Sequence, residues 1–260
     1  MHTVSLIIAI IFCVTTTCVP AKTLDWCDPI LCPTGGKHIA CNNDGTLHKR
    51  CGHDAKIIDL RPYRDLILHG HNSRRNFVAL GLLPGYYPAS RMATLQWDEE
   101  LQYLADLNVR TCIVEHDDCR NTYRFRYSGQ NLVGISEFKH QQENITEVIL
   151  KDLWLWFREH KLTDSNILTE FKVVGDLEKY GHFGEFVLDR NTHVGCSLIR
   201  YTRPEYPYLH IYNFACNYAT VYAYDVPVYA TGKPASKCKT GRNPKYPGLC
   251  SVKEAYNPNY

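Results

Sequence analysis

The cysteines, taken with an apolar segment at the N-terminus, constrain this chain most. Val4–Val14 is an apolar run of 11 residues, too short to span a bilayer, and Val19-Pro20-Ala21 places small residues before a cleavage site that we expect after Ala21. The chain has 12 cysteines, and Cys13 and Cys18 fall within this predicted signal peptide, 1–21, which leaves ten in the mature chain. An even count behind a signal peptide predicts disulfides and a secreted, extracellular protein.

Three other classes of protein fit the sequence less well. A cytosolic zinc protein is disfavoured because no Cys-x-x-Cys pair occurs. The formal net charge is +2, from 29 basic and 27 acidic residues, which gives no electrostatic reason to expect a nucleic-acid partner. No later stretch of about 18 apolar residues is present, so we expect no membrane span.

Three segments follow the predicted signal peptide. Residues 22–56 hold four cysteines among turn-forming residues and are predicted to form a cysteine-rich N-terminal arm. Residues 57–226 carry the apolar periodicity of a folded domain. Residues 227–260 form a Pro-rich C-terminal tail with two cysteines, where proline disfavours helix and central strand.

Apolar spacing predicts three helices in the central segment. The first runs over Asp59–Leu83, the second begins near Asp98, and the third begins near Asn144 with a capping-box-like Glu147. The expected apolar side of the first helix is Tyr63, Leu66, Ile67 and Phe77, and that of the third is Ile149, Leu153, Trp156 and Phe157.

Two strands are predicted after the helices. Residues alternate in character over His193–Tyr201 and Leu209–Tyr218, and the intervening residues contain prolines, so the two runs predict a hairpin. In this hairpin Cys196 can meet Cys216. Helices first and antiparallel strands later predict an α+β layered fold.

Several motifs, in this order, resemble those of the CAP superfamily of cysteine-rich secretory proteins, antigen 5 and pathogenesis-related 1 proteins. The arm and the C-terminal end are similar to the insect antigen 5 (venom allergen 5) branch. The matching segments are His71-Asn72-Ser73-Arg74-Arg75, Ser128-Gly129-Gln130-Asn131-Leu132, Trp156-Phe157-Arg158-Glu159, Gly181-His182-Phe183, Val194-Gly195-Cys196 and Tyr212–Tyr218.

The resemblance implies a three-layer α-β-α sandwich around an antiparallel sheet (the CAP or SCP domain), stapled by disulfides. The implied pairs are Cys27–Cys41, Cys32–Cys119, Cys51–Cys112 and Cys196–Cys216, which leaves Cys238 and Cys250 to pair with each other in the tail.

The family's central cleft holds two histidines and two acidic residues. In this chain the matching positions are His116, Gln130, Glu159 and His182. Gln130 stands where the family has an acid, and an amide offers no charged metal ligand. Glu185, three residues after His182, is a candidate replacement carboxylate. We therefore expect no required cofactor and at most a weak site for zinc or another divalent metal.

The sequence favours a binding protein over an enzyme. It has no Gly-x-Ser-x-Gly elbow, and pairing of every mature cysteine leaves no thiol nucleophile. The expected partner is a small hydrophobic ligand or an extracellular protein. The alternatives are a metal-dependent enzyme or metal scavenger using the cleft, and a structural or signalling protein of venom, saliva or seminal fluid. The oligomeric state stays open.

Two short motifs complete the sequence-based candidates. Asn144-Ile145-Thr146 is an N-glycosylation sequon at a predicted helix start, so we expect a glycan on Asn144. Val174-Gly175-Asp176 resembles an integrin-binding tripeptide, a pattern that is common by chance.

Overall fold

The computed structural model describes residues 24–170 and 179–259. The predicted signal peptide, its cleavage site and the Val174–Asp176 tripeptide lie outside the described residues. The helices and strands that form the body are α1 (Arg64–Ala79), α2 (Glu99–Val109), α3 (Ile145–Phe157), α4 (Ser165–Glu170), α5 (Gly181–Val187), β1 (Lys56–Ile57), β2 (Gln96–Trp97), β3 (Gly129–Phe138), β4 (His193–Tyr201) and β5 (Leu209–Tyr218).

The sheet has the strand order β1-β4-β5-β3, with all three of these pairings antiparallel. The hairpin prediction is confirmed at both ends of β4 and β5, and Cys196 lies opposite Cys216. We expected an antiparallel sheet. The short strand β2 departs from this expectation, because it pairs with β4 in the parallel direction. Strand β3, which periodicity did not predict, pairs with β5 along its whole length; its first four residues are buried, and the remaining six alternate between partly buried and exposed.

Helices cover both faces of the sheet. Helix α2 packs on β4 and β5, while α1, α3 and α5 pack together and α3 and α5 reach the opposite face. Helix α2 approaches closely at Gly195, where an added Cβ would lie 2.1 Å from the Gln102 backbone nitrogen. The predicted α+β sandwich of three layers is therefore confirmed.

Helix α1 differs from its prediction in length and in the character of its buried face. A 3-10 turn at Arg61–Tyr63 replaces its expected first turn, and the helix ends before Gly81, whose φ of +72° breaks the helical path. Phe77, expected inside, is exposed. The buried face includes polar side chains, His71 and Arg75 among them, so an apolar-periodicity rule misjudges it.

The second and third helices begin as predicted. The Asp98 side chain caps α2, and Asn144 accepts a hydrogen bond from the Glu147 backbone nitrogen at the start of α3. Ile149, Leu153 and Trp156 are buried in the core, as their spacing predicts.

The structure contains the four disulfides that the family resemblance implies and the fifth that was left by elimination, and every described cysteine is in one of them. They are Cys27–Cys41, Cys32–Cys119, Cys51–Cys112, Cys196–Cys216 and Cys238–Cys250. Two of these bonds join the arm to the loop 112–119, so this loop is covalently fixed near both of its ends.

The tail is integrated into the body. Tyr229 and Leu249 are buried in the main core, and the Cys250 backbone nitrogen donates to the Met92 carbonyl at 2.8 Å. An ion pair of 2.7 Å joins Arg91 to Glu254. The boundary between the central domain and the tail at residue 226 stays a prediction. In the structure the tail packs as a continuation of the domain. None of the helices in the described ranges has the length and apolar character needed to cross a membrane.

Candidate functional site

The four predicted cleft residues come from four different segments. His116 lies in the disulfide-bounded loop 112–119, and Gln130 lies at the start of β3. Glu159 lies in a 3-10 turn, Arg158–Leu162, that follows α3, and His182 lies in the first turn of α5. The structure brings them together as two hydrogen-bonded pairs, one around each histidine.

The first pair is fixed by the Gln130 amide. Gln130 Nε2 donates to Asp117 Oδ2 and to Asn217 Oδ1, each at 2.9 Å. Because both amide hydrogens are used, Gln130 Oε1 must accept from His116 Nδ1, 2.7 Å away. The other ring nitrogen, Nε2, then carries the free lone pair in the neutral form of the ring.

Asp117 is a site residue that the sequence analysis missed. Its carboxylate accepts from Gln130, from Arg120 Nε at 2.7 Å and from Asn108 Nδ2 at 2.8 Å. Burial lowers the pKa of His116, the hydrogen bond to Gln130 and the charge of Asp117 oppose the shift, and the electrostatic interactions with Arg120 and His182 add to it. Burial thus favours the neutral form of the His116 imidazole. The ring hydrogen-bonds to an amide, and the carboxylate of Asp117 lies one hydrogen bond further away. The only signal for Asp117 in the sequence was its position next to His116.

The second pair is fixed by a carboxylate. Glu159 Oε1 lies 2.7 Å from His182 Nδ1, and Glu159 Oε2 accepts from the Phe183 backbone nitrogen at 3.1 Å. Both carboxylate oxygens are engaged, so Glu159 orients His182 instead of offering itself as an additional ligand. The His182 ring stacks on Trp156, with 6.3 Å between centroids.

These donors do not fit a firmly held metal. The cleft offers the Nε2 atoms of two imidazoles, while the nearby carboxylates of Asp117 and Glu159 are committed to other partners. Within residues 24–170 and 179–259, no group of three or more His, Cys, Asp or Glu side chains is arranged to hold a metal ion. Structural and catalytic zinc sites use four or three protein ligands, so the two imidazoles are fewer than either kind of site uses.

Glu185 does not restore the missing acid. It is fully buried, Asn191 Nδ2 donates to its Oε1 at 2.8 Å, and burial raises its pKa to about 8. An added Cβ at Gly129 would lie 2.2 Å from Glu185 Oε1, so this carboxyl sits beneath the start of β3. Its place in the interior makes it a structural group.

A cavity of about 310 Å³ lies beside His182. The indole of Trp156 forms part of its wall and is anchored by a 3.1 Å hydrogen bond from Nε1 to the Leu132 carbonyl. Its lining combines apolar and charged side chains. The lining residues are Leu132, Val133, Leu155, Trp156, Arg158, Glu159, Leu162, Lys179 and His182. His116 instead borders a second cavity of about 550 Å³ between the loop 112–119 and the arm.

A buried polar chain lies behind the cleft. His71 Nε2 lies 2.9 Å from the Tyr218 hydroxyl, which also accepts from Asn131 Nδ2 at 3.3 Å. Asn131 Nδ2 donates in addition to the His182 carbonyl at 3.0 Å. Residues of the first two matching segments, His71 in α1 and Asn131 in β3, therefore position the backbone of His182 from the interior.

Known proteins are similar to this chain in sequence and in fold. The model of the cysteine-rich secretory protein family, CAP, matches residues 68–218, more than half of the chain. Venom allergen-1 of Aedes aegypti is 35% identical over 233 residues, which cover 88% of each protein. The antigen 5 like allergen Cul n 1 of Culicoides nubeculosus is 42% identical over 171 residues, 65% of this chain and 77% of that protein.

Two solved structures share the fold at lower identity. NaASP2, solved with Zn²⁺, is 21% identical with a TM-score of 0.58, and the match covers 80% of this chain and 99% of that one. The hookworm platelet inhibitor is 19% identical with a TM-score of 0.54, over 78% of this chain and 95% of that one. At this identity the likeness establishes the architecture alone.

Proposed function

The chain belongs to the cysteine-rich secretory protein family, CAP, and from this membership we propose that it is a secreted, non-enzymatic protein that binds a small hydrophobic ligand in the cavity beside His182. Its insect relatives are named as venom allergens and antigen 5 proteins. The expected signal peptide and the full pairing of the described cysteines support an extracellular site of action.

One observation carries the proposal: the cavity beside His182 is lined by apolar side chains together with a few charged ones. Its volume of about 310 Å³ is at the lower end of what small-ligand sites enclose. Leu132, Leu155 and Leu162 offer apolar surface, and burial of such surface is worth about 25 cal/mol per Å². His182, Arg158 and Lys179 lie at the same cavity, where they can meet a polar group of the ligand.

The arrangement of the two histidines supports binding without turnover. In the described part of the chain, no Ser, Thr or Cys side chain hydrogen-bonds to His116 or His182. A nucleophile activated by a neighbouring base needs such a contact. Ser128 instead donates to the Phe125 carbonyl from a buried position.

The test compares two leucine variants in the binding of anilinonaphthalene sulfonate. Leu162 lines the cavity and is 60% exposed, while Leu82 is 56% exposed elsewhere on the surface. Because both side chains are exposed, Leu162→Asp and Leu82→Asp should leave stability almost unchanged. We expect about tenfold weaker dye binding for Leu162→Asp alone, because a charge at the cavity opposes desolvation.

Native mass spectrometry of protein secreted by insect cells supplies the second readout. A co-purified small molecule should be present in the wild type and in Leu82→Asp, and reduced in Leu162→Asp. Equal dye binding by both variants, together with ligand-free wild-type protein, would refute the proposal.

A second candidate, weak divalent-metal binding, is favoured by the two Nε2 atoms left available in the cleft. Zinc calorimetry distinguishes it, since His182→Ala should abolish the heat of binding. Gln130→Glu, which would place an acid where the family has one, is a less direct test of metal binding. Its new carboxylate would lie against Asp117 Oδ2, now 2.9 Å from the amide nitrogen, and the two charges would repel.

A further inference from the structure

A cavity of about 790 Å³, separate from the one beside His182, lies between the arm and the loop that joins β4 to β5. Its walls are fixed by a disulfide and by a close backbone contact. The Cys51–Cys112 bond ties the arm to the central domain. At Gly52 an added Cβ would lie 2.7 Å from the Thr202 carbonyl oxygen, so the arm lies directly against the end of β4. The volume is within the range of small-molecule sites, about 300–1,000 Å³.

Three permanent cations line this cavity, Lys49, Arg50 and Arg203. In the part of the chain that the structure describes, no acidic group lies within ion-pair distance of any of them. Arg203 Nη2 donates to the Cys112 carbonyl at 3.3 Å, and Arg50 Nε donates to His48 Nδ1 at 2.9 Å. These contacts orient the two guanidinium groups and leave their charges without a counter-ion.

The rest of the lining limits what kind of anion fits. Guanidinium groups match phosphate in geometry and bind it through charge-assisted hydrogen bonds. The carboxylates of Glu115 and Glu205 line the same cavity, which disfavours a uniformly anionic polymer and offers acceptors for hydroxyl and amino groups. The ring of Tyr206, a residue that is 49% exposed, is also in the lining, and aromatic side chains of this kind stack on bases. Phosphate, hydroxyl or amino donors and an aromatic ring occur together in a nucleotide.

We propose that this cavity binds a nucleotide, with its phosphates at Lys49, Arg50 and Arg203 and its base on the ring of Tyr206. The site goes beyond the proposed binding of a hydrophobic ligand, because the two cavities have no lining residue in common. Its ligand is recognised by charge and stacking, whereas the cavity beside His182 offers mainly apolar surface.

Calorimetry with ADP on the full-length mature protein tests the phosphate contacts. Arg50→Gln removes one cation from the cavity, and Arg126→Gln, at an exposed arginine outside the lining, is the matched control. Both side chains are exposed, so both variants should fold as the wild type does. We expect ADP to bind Arg50→Gln at least about tenfold more weakly, because a hydrogen bond between two charged groups is lost. Arg126→Gln should bind ADP within about twofold of the wild type.

A second pair of variants tests the base. Tyr206→Ala should weaken ADP binding at least about fivefold, because stacking on one base is lost, and should leave the binding of inorganic pyrophosphate unchanged. Tyr87→Ala is the control, since Tyr87 is 54% exposed and lies outside this cavity. ADP should therefore bind the wild type more tightly than pyrophosphate does.

Four results would overturn the proposal. They are no heat of ADP binding by the wild type, equal ADP affinity for Arg50→Gln, pyrophosphate binding as tight as that of ADP, and heparin binding in place of ADP. Leu162→Asp separates this site from the hydrophobic cavity, because it should reduce dye binding and leave ADP affinity unchanged. Loss of ADP binding in Leu162→Asp would contradict a separate site.

Discussion

The two sides of the sheet position their histidines by different means. On the side of α2, disulfides tie the arm to the loop 112–119 through Cys32–Cys119 and Cys51–Cys112. On the other side, α1, α3 and α5 contain no cysteine and pack through an apolar core with buried ionisable groups. Each side supplies one histidine of the cleft, His116 from the loop and His182 from α5.

The comparison shows that an irregular loop and a short helix can each hold a histidine in place, by different interactions. The loop has no regular structure of its own between Cys112 and Cys119, so covalent bonds limit its freedom. Helix α5 has only seven residues, and buried hydrogen bonds hold its end. The first device responds to reduction and the second to charge and pH, so each can be broken separately.

The largest effect is expected from Arg75. It is fully buried, and its guanidinium donates to the carbonyls of Ala93, Phe186, Leu188 and Asn191. Arg75→Met keeps the apolar stem but leaves these acceptors unpaired, at about 1 kcal/mol or more each. We expect at least about 4 kcal/mol of lost stability by urea unfolding.

Arg74→Met is the control for that measurement. Arg74 is adjacent in α1, only partly buried, and donates to the Gly70 carbonyl at 2.8 Å. Its loss should cost about 1 kcal/mol. Equal losses for the two variants would contradict the view that buried cation–carbonyl contacts hold this side.

The next effect is expected from the disulfide that begins the loop. Cys51 and Cys112 are 61 positions apart, and replacing both with alanine should cost about 3 kcal/mol. Replacing Cys238 and Cys250, 12 positions apart, should cost less and leave the cleft unchanged. NMR of the His116 ring checks this. A loop variant whose His116 signals match wild type would show that the disulfide does not position the cleft.

The smallest effect, counted per pH unit, is a pH dependence that belongs to the helical side. Asp152 in α3 is fully buried, neither carboxylate oxygen has a described partner, and burial raises its pKa to about 8 from 3.8. The folded protein thus holds a proton that the unfolded chain releases near pH 4. Its contribution is present below about pH 4 and is lost as pH rises to about 8.

Asp152→Asn should remove this slope. Between about pH 5 and pH 7 the wild type should lose about 1 kcal/mol of unfolding free energy per pH unit through this group. Glu185, with its pKa also raised to about 8 by burial, adds a second such contribution that Glu185→Gln tests. Denaturant unfolding across this range is the measurement. A slope unchanged in both variants would show that burial does not hold these protons.

Local rules predicted the elements whose apolar pattern agrees with their environment. The strands β4 and β5 and the starts of α2 and α3 needed only alternation and capping residues. Strand β3 was not predicted, because its first four residues are buried on both faces and include Gly129, Gln130 and Asn131. Polar residues there are satisfied by partners distant in sequence, such as Asn217.

The amino-acid sequence by itself determined the family, the layered fold class and, through the family resemblance and elimination, the disulfide pairs. That His116, Gln130, Glu159 and His182 share one cleft stays a prediction, since the two histidines border different cavities. Only the tertiary structure decided what those residues do. Hydrogen-bond geometry turned Gln130 and Glu159 into groups that orient His116 and His182, and burial withdrew Glu185 into the interior. The reason is physical: a side chain's role depends on the direction of its polar atoms and on its access to water, and contacts such as that of Gln130 with Asn217 join residues 87 positions apart.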